Sequence, residues 1–269
     1  MADSKVLIEN LVFGYRRGEK VLDGFNLRVS GGETQLLLGP NGSGKSTVIK
    51  LVLGFLTGYR GRVEVLGFPP GKLSRSVRRR IGYVPESTSI HRDISVEGYI
   101  KLHRDLRGGG DVDEVINLLG LDRYRRYRVA SLSQGYKRRV LFAAAIVGYP
   151  ELLILDEPYS NIDVETRLVI DDVLSRLAGE TTILMSSHIM PTSVDPKVNV
   201  LLNGRVAKTL DSVKPRIEIL VDCGGEKLYL ESVEDAMSML REGCSVLDVK
   251  CVTIYDVMRE MFIEFRGVG

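Results

Sequence analysis

Nine consecutive residues hold the groups best suited to chemistry: Gly39-Pro40-Asn41-Gly42-Ser43-Gly44-Lys45-Ser46-Thr47. An apolar, strand-like run (35–38) precedes them, and a run with helical spacing (48–53) follows. The glycines let backbone N–H groups turn inward toward phosphate oxygens, and a helix N-terminus adds partial positive charge there. Lys45 can reach the outer phosphates, and the Ser46 hydroxyl can ligate magnesium. This phosphate-binding loop (39–47) predicts a nucleoside triphosphate site, because an incidental glycine-rich turn would seldom fill every position in this context.

Two carboxylates, Asp156 and Glu157, follow the apolar run Leu152–Leu155. Asp156 is placed to hold magnesium through water, and Glu157 is placed to orient and deprotonate an attacking water. Any buried strand can end in an acidic turn, so this pattern is weak by itself. Downstream of a phosphate-binding loop in one α/β domain, it indicates the metal-binding and catalytic carboxylates of the same site.

Five further motifs stand in a fixed order along the chain. They are Phe13-Gly14-Tyr15, Ile81-Gly82-Tyr83-Val84-Pro85-Glu86, Leu132-Ser133-Gln134-Gly135-Tyr136, Ser160-Asn161-Ile162-Asp163 and Met185-Ser186-Ser187-His188. Together with the phosphate-binding loop, they resemble the motifs of ATP-binding cassette (ABC) ATPases over roughly residues 5–210. The resemblance implies that Tyr15 stacks on adenine, that His188 contacts the γ-phosphate, and that Lys45, Glu157 and His188 are the catalytic residues.

The resemblance also implies a partner. In the family, the signature serine and glycine, here Ser133 and Gly135, contact the γ-phosphate bound by the opposite subunit of a head-to-tail dimer. Asp163 matches the D-loop of the same interface. One cassette per chain therefore implies a homodimer or a heterodimer of ABC subunits.

Two positions depart from the family pattern. Glu86 stands where the family has a glutamine that touches magnesium or the attacking water. A carboxylate there could bind magnesium-bound water, but it would also repel the γ-phosphate. The signature reads LSQGY instead of LSGGQ, so Gln134 and Tyr136 are substitutions that are expected to weaken the contact across the dimer.

Each of these residues also has a structural explanation. Tyr15 could be a packed surface aromatic, and His188 a hydrogen-bonded structural histidine. Asp163 and Ser133 both suit a helix N-cap. The order and spacing of the motifs favour the functional interpretation.

Alternating strand-like and helical runs must position these groups, and they predict an α/β fold. Helix caps are predicted at Ser74, Ser95, Asp111 and Ser133, a hairpin turn at Asn203-Gly204, and the end of the first helix near Thr57-Gly58. With the resemblance, the predicted fold class is a P-loop NTPase core of the ABC type with an antiparallel β subdomain. The ABC ATPase domain covers 1–213, with its core at 1–86 and 150–213 and an inserted helical subdomain at about 87–149. A small C-terminal α+β appendage covers 214–269.

Composition sets outer bounds on the function. The chain has 269 residues, of which 44% are hydrophobic and 27% charged, a balance typical of soluble globular proteins. A formal net charge of +2 favours neither nucleic acid nor an anionic membrane, so the basic runs 78–80 and 123–128 are interpreted as solvated faces. Cys223, Cys244 and Cys251 lack CxxC spacing and predict reduced thiols that act as packing residues. No signal peptide or membrane-spanning run is visible in the sequence.

The resemblance implies the ATP-hydrolysing, nucleotide-binding subunit of an ABC transporter, with ATP and magnesium as cofactors. It would lie in the cytoplasm, peripheral on the inner face of the cell membrane, and would power separate integral membrane permease subunits. The LSxGxxRR signature and the tail 254–257 favour an exporter-type cassette, with import left open. The alternatives are a stand-alone regulatory ATPase and a soluble ABC ATPase acting on nucleic acid or ribosomes. The second usually has tandem cassettes or a long coiled-coil insertion, whereas the interval from Lys45 to Ser133 is compact, so no direct contact with nucleic acid is expected.

Overall fold

A computed structural model of the chain describes residues 4–16, 18–88, 93–212, 216–230, 235, 238–239 and 241–252. The chain divides into two compact units, Met1–Asp211 and Ser212–Gly269. The predicted helix from Thr253 to about Phe265 and the tail 254–257 lie outside the described residues, as does most of the predicted helix near Val233–Leu240.

Strands and helices alternate through the larger unit, which confirms the predicted α/β class. Within the described residues, the strands are β1 (Ser4–Phe13), β2 (Leu22–Ser30), β3 (Thr34–Leu38), β4 (Arg60–Val65), β5 (Ile81–Val84), β6 (Leu152–Asp156), β7 (Thr182–Ser187), β8 (Lys197–Leu202), β9 (Arg205–Leu210), β10 (Arg216–Cys223), β11 (Glu226–Leu230) and β12 (Ser245–Val252). The α-helices are α1 (Lys45–Val52), α2 (Arg75–Arg79), α3 (Val96–Arg107), α4 (Val112–Leu118), α5 (Gln134–Ile146) and α6 (Val164–Leu177).

A six-stranded sheet carries the residues of interest on one edge. Its order is β5-β6-β7-β3-β8-β9, with the first five strands parallel and β9 antiparallel to β8. All five residues of β6 are buried, as expected for a central parallel strand covered on both faces. The carboxyl ends of β3, β5, β6 and β7 lead into the phosphate-binding loop, Glu86, Glu157 and His188. Ligands of open parallel sheets bind at this edge.

A separate three-stranded antiparallel sheet confirms the predicted β subdomain. Its order is β2-β1-β4. In β1, the side chains of Val6, Ile8, Leu11 and Phe13 are buried in the main hydrophobic cluster. The two-residue alternation breaks near Asn10, whose φ is 50° and where both pairings shift register. The bulge keeps apolar residues on the core side of both halves of the strand.

Local capping chemistry sets where the helices begin. The side chains of Ser74, Ser95, Asp111 and Ser133 each accept a backbone N–H of the helix that follows, which confirms the four predicted caps. The prediction for the end of α1 was wrong. The helix ends at Val52, because Gly54 turns the chain with φ 74°.

A two-residue hairpin joins β8 and β9, as predicted. Asn203 and Gly204 have φ values of 48° and 72°, as a type I′ turn requires. A side chain at Gly204 would approach the carbonyl oxygen of Val21 to 2.0 Å, so glycine is needed there for close approach as well.

Among the described residues, no helix combines the length and apolar character needed to cross a bilayer.

The smaller unit contains the antiparallel sheet β11-β10-β12 and a disulfide bond between Cys223 and Cys244. The prediction of reduced thiols was therefore wrong for these two residues. Asp222 pairs with Ser245 across β10 and β12, which places the two cysteines next to each other at the end of the ladder. Sequence spacing could not reveal this pairing between cysteines 21 positions apart, because it depends on the register of the strands.

Removing the disulfide with Cys223→Ser and Cys244→Ser should destabilise the smaller unit by about 3 kcal/mol, because the bond closes a loop in the unfolded chain. Differential scanning calorimetry with and without reductant provides the measurement. Alkylation of the denatured, unreduced protein followed by mass spectrometry should label one of the three cysteines. Labelling of all three would contradict the bond.

Candidate nucleotide site

One cavity of about 390 Å³ lies at the carboxyl edge of the parallel sheet. It is lined by Tyr15, Glu19, Val21, Asn41, Gly42, Gly44, Lys45, Ser46, Thr47, Glu86 and Glu157. Glu19 and Val21 were missed by sequence reasoning. They lie between β1 and β2, a few residues after Tyr15, and they belong to no motif. The one feature of the sequence that could have indicated them is that they follow Tyr15 by only a few residues.

The phosphate-binding loop is shaped for close backbone approach. Gly44 is the N-cap of α1 with φ 105°, and a Cβ there would lie 2.8 Å from Leu22 Cδ2. A Cβ on Gly39 would lie 2.4 Å from the carbonyl oxygen of Leu201. Ser43 Oγ is buried and has no hydrogen-bond partner within the described part of the chain. An unpartnered buried hydroxyl beside a helix N-terminus fits an arriving phosphate oxygen.

Lys45 supplies the buried positive charge of the cavity. Its side chain is 5% exposed, and Nζ donates to the carbonyl oxygens of Gly39 (2.8 Å) and Pro40 (3.2 Å). Nζ also lies 3.5 Å from Glu157 Oε1. The ammonium is thus held at the mouth of the loop, where its three donors can turn to phosphate oxygens.

A hydroxyl and a carboxylate meet beside Lys45. Ser46 Oγ donates to Asp156 Oδ1 at 3.0 Å, and Ser186 Oγ donates to the same oxygen at 2.6 Å. Asp156 is buried at the end of β6. Hard oxygen donors in this number suit magnesium, which takes one or two protein ligands beside phosphate and water. The residues present therefore fit the predicted metal.

Glu157 is held in a strained backbone position. Its φ is 46°, which is unusual for a residue with a long side chain, and its N–H donates to Ser186 O (3.0 Å) and Ser186 Oγ (3.1 Å). His188 Nδ1 lies 2.9 Å from Glu157 Oε2. The carboxylate therefore stands between Lys45 and His188, and the ends of β6 and β7 fix its direction.

Tyr15 lies at the rim of the cavity. Its hydroxyl is 3.1 Å from Thr47 Oγ1, and its ring contacts Phe13 edge-to-face with centroids 5.2 Å apart. The side chain is 54% exposed, and its stacking on adenine stays a prediction. An exposed ring at the rim suits base stacking.

Glu86 lines the cavity with Glu157, and α5 fixes its backbone. Arg138 donates from Nη1 to Pro85 O (2.5 Å) and from Nη2 to Glu86 O (2.7 Å). Arg138 is 1% exposed, and burial lowers its pKa while the charges of Glu86 and Asp156 raise it. Burial, and then the charges of Asp156 and Glu86, raise the pKa of Tyr83 to about 12. The arginine was missed as a site residue, although its place in the Lys137-Arg138-Arg139 run was visible.

Ser133, Gly135 and Asp163 do not line this cavity. Ser133 is exposed and caps α5. Asp163 caps α6 through Thr166 N at 2.7 Å, and this backbone hydrogen bond is the main cause that lowers its pKa. A Cβ on Gly135 would lie 2.5 Å from Thr166 Oγ1 and 2.6 Å from Asp163 Oδ2. The capping alternatives are therefore real, and the predicted role across a dimer interface stays a prediction.

Comparison with known proteins agrees with this geometry. The family model described as "ABC transporter" matches residues 22–160, more than half of the chain. An ABC transporter ATP-binding protein of Streptomyces coelicolor is 32% identical over 216 residues, which cover 77% of this chain and 82% of that protein. Nod factor export ATP-binding protein I of Rhizobium meliloti is 39% identical over 181 residues, which cover 64% of this chain and 54% of that protein. The structure of a bacterial Atm1-family ABC exporter with ATP bound aligns with a TM-score of 0.68 and 28% identity, covering 77% of this chain and 38% of that chain.

The family match contains the phosphate-binding loop, the signature, Asp156 and Glu157, so one matched segment carries most of the groups of the site. The chain belongs to the ABC transporter family, as an ATP-binding cassette that hydrolyses ATP.

Proposed function

We propose that this chain is the nucleotide-binding subunit of an exporter-type ABC transporter, peripheral on the cytoplasmic face of the membrane and paired with separate integral membrane subunits. The observation that carries the proposal is that Lys45 and Glu157 line one cavity of an ABC cassette and are in contact with each other, while His188 contacts Glu157 and Asp156 contacts Ser46 just behind its lining. Export is favoured because two of the proteins it resembles, the Nod factor protein and the Atm1-family structure, are named for export.

Binding would use the loop and Lys45. The backbone N–H groups of residues 41–47 and the ammonium of Lys45 would hold the outer phosphates, and Ser43 Oγ, which has no hydrogen-bond partner among the described residues, would gain one. Ser46 and Asp156 would hold magnesium, which would neutralise charge that develops on the phosphates. Tyr15 would cover the adenine ring.

Hydrolysis would rely on Glu157 and His188. Glu157 would accept a proton from the attacking water, and His188, 2.9 Å from its carboxylate, would orient it and reach the γ-phosphate. The strained φ of Glu157 fits this role, since backbone strain persists where the surroundings fix a functional side chain.

The catalytic unit would be a dimer, homomeric or heteromeric. Ser133 is exposed at the N-cap of a 13-residue helix and does not line the cavity of its own chain, so its hydroxyl would meet a phosphate held by a second cassette. Gly135 is buried in the first turn of that helix, where its backbone would support the same contact. Asp163 lies beside Gly135 and would share that interface.

The domain division is part of the proposal. It comprises a catalytic core at 1–86 and 150–213, a helical subdomain at 87–149 that would contact the membrane subunits, and an appendage at 214–269.

Purification from the host's membranes tests the transport assignment. The tagged full chain should co-purify with a multi-span membrane protein from detergent extracts, and ATP hydrolysis should respond to that partner. Recovery only with ribosomes or RNA, with turnover stimulated by nucleic acid, would favour the non-transport alternative and contradict the assignment.

Replacing Glu86 with glutamine should strengthen ATP-driven dimerisation. Glu86 is exposed at the cavity, where a charge pair 4 Å apart in water is worth about 1 kcal/mol, and this corresponds to a change of about fivefold. Neutralising Glu86 removes its repulsion of the γ-phosphate. Analytical ultracentrifugation with ATP, in a non-hydrolysing Glu157→Gln background, measures the dissociation constant.

The matched control is Glu180→Gln, which removes an exposed carboxylate outside the cavity. An equal dissociation constant with and without Glu86→Gln would contradict the repulsion and indicate that Glu86 points away from the nucleotide.

A further inference from the structure

A second cavity, of about 270 Å³, lies between α2, the first residue of β5 and the end of α3. We call it the arginine cavity, because Arg75, Arg78, Arg79 and Arg107 line it. It is separate from the nucleotide site: Ile81 begins β5 at the arginine cavity, whereas Glu86 follows the other end of that strand.

Among the described residues, the hydrogen bonds of three of these arginines all go to backbone carbonyl oxygens, which are neutral. Arg78 Nε donates to Leu73 O (3.0 Å), and Arg79 Nε donates to Leu106 O (3.1 Å). Arg107 donates to Ala144 O and Ile81 O. Within the described part of the chain, none of the four has a carboxylate oxygen within 4.0 Å.

In contrast, the charge of the neighbouring Arg80 is neutralised by a carboxylate. It forms a two-pronged ion pair with Glu151, with distances of 2.5 and 2.6 Å. Arg78 and Arg79 precede Arg80 directly in the sequence, yet neither is paired with a carboxylate among the described residues. Four cations around one small space repel each other, and a bound anion would relieve that repulsion.

Part of the cavity is fixed in place. The half-buried Arg107 is held by its two carbonyl bonds, and burial lowers its pKa. Burial and the charge of Arg107 lower the pKa of His103 to about 4, so His103 is neutral near pH 7. It adds hydrogen-bonding capacity to the wall without adding a fifth positive charge. One donor group of the cavity, the guanidinium of Arg107, is thus oriented before any ligand arrives.

We propose that the arginine cavity binds a small oxyanion with at least two negative charges, of the phosphate or diphosphate class. Planar guanidinium groups match phosphate oxygens in pairs, which explains the choice of arginine at all four positions. The volume is smaller than that of the nucleotide cavity and below the range of about 300–1,000 Å³ for drug-sized ligands. A phosphate or diphosphate group fits this space.

Titration of the full-length Lys45→Ala protein with inorganic pyrophosphate tests the proposal, since that background lacks the phosphate clamp of the nucleotide site. Isothermal titration calorimetry should show binding that weakens at least about tenfold in Arg75→Ala/Arg78→Ala, because charge-assisted hydrogen bonds are lost. These two side chains are exposed, so their removal leaves the core intact. The matched control is Arg123→Ala/Arg126→Ala, which removes two exposed arginines elsewhere and should leave the affinity unchanged.

A second arm separates a free anion from a lipid headgroup. Sedimentation with vesicles of phosphatidic acid in phosphatidylcholine, compared with phosphatidylcholine alone, reports binding to a phosphate at a membrane surface. Binding that is lost when Arg75 and Arg78 are replaced, in either arm, supports the site. The arm that shows this loss identifies whether the anion is free in solution or part of a lipid headgroup.

Two results would overturn the proposal: no binding in either arm, or equal weakening by both double variants. The site does not depend on the proposed transport function, because binding is measured on the isolated chain. A failed membrane purification would leave this result unaffected.

Discussion

Replacing Glu157 with glutamine is expected to stop turnover while ATP and magnesium stay bound. The amide keeps the shape and the hydrogen-bonding reach of the side chain, but it cannot accept a proton from water. Loss of a positioned general base lowers rates by about 10²–10⁴-fold. Ser46 and Asp156, which would hold magnesium, are untouched by the change. Phosphate release measures turnover, and equilibrium binding of a fluorescent ATP analogue measures affinity.

The same variant should accumulate an ATP-dependent dimer, because the sandwich forms but hydrolysis no longer separates it. Size-exclusion chromatography with and without ATP detects this species. Glu180→Gln is a suitable control, since Glu180 is an exposed acid that does not line the cavity. A monomer at every ATP concentration, with hydrolysis still fast, would contradict both the base and the sandwich.

The parts of the fold that follow from local chemistry could be predicted. The helix caps depend on one side chain and the N–H groups two or three residues away, so Ser95 and Asp111 identified α3 and α4 directly. The hairpin at Asn203-Gly204 depends on two residues that tolerate positive φ. The phosphate-binding loop is equally local, which is why its position was clear without a structure.

Long-range partners could not be predicted in the same way. The basic run 78–80 looked like one solvated face, yet Arg80 pairs with Glu151, 71 positions away, while Arg78 and Arg79 line a cavity. Arg138 reaches the backbone of Glu86 across 52 positions. Such contacts depend on how α5 and β5 pack in three dimensions, and no periodicity in the sequence predicts which residues 52 or 71 positions apart will meet. The disulfide was missed for the same reason, since the register of β10 and β12 creates it.

Replacing Lys45 with alanine is expected to abolish productive use of ATP, with a loss of turnover of about 10²–10³-fold or more. Lys45 carries the buried positive charge beside the phosphate-binding loop, and its Nζ is poised 2.8 Å from Gly39 O. A charge-assisted hydrogen bond from Lys45 to a phosphate oxygen is stronger than the hydrogen bonds to neutral carbonyl oxygens that it would replace. Affinity for ATP should therefore fall with turnover, unlike the result for Glu157→Gln, and the same two assays separate the variants.

Stability must be controlled in this test, because Lys45 also lies 3.5 Å from the buried Glu157 and its removal leaves that carboxylate with His188 alone. Lys45→Arg keeps a positive charge near Glu157 but replaces the compact ammonium with a planar group that fits the loop poorly, so it should fold normally and still fail to turn over ATP. Lys50→Ala is the matched control, since Lys50 is exposed on the same helix and should leave both folding and turnover unchanged. Thermal unfolding followed by circular dichroism checks the fold of all three variants. Turnover by a folded Lys45→Ala protein at the rate of the unmodified chain would exclude the loop as the site of phosphate binding.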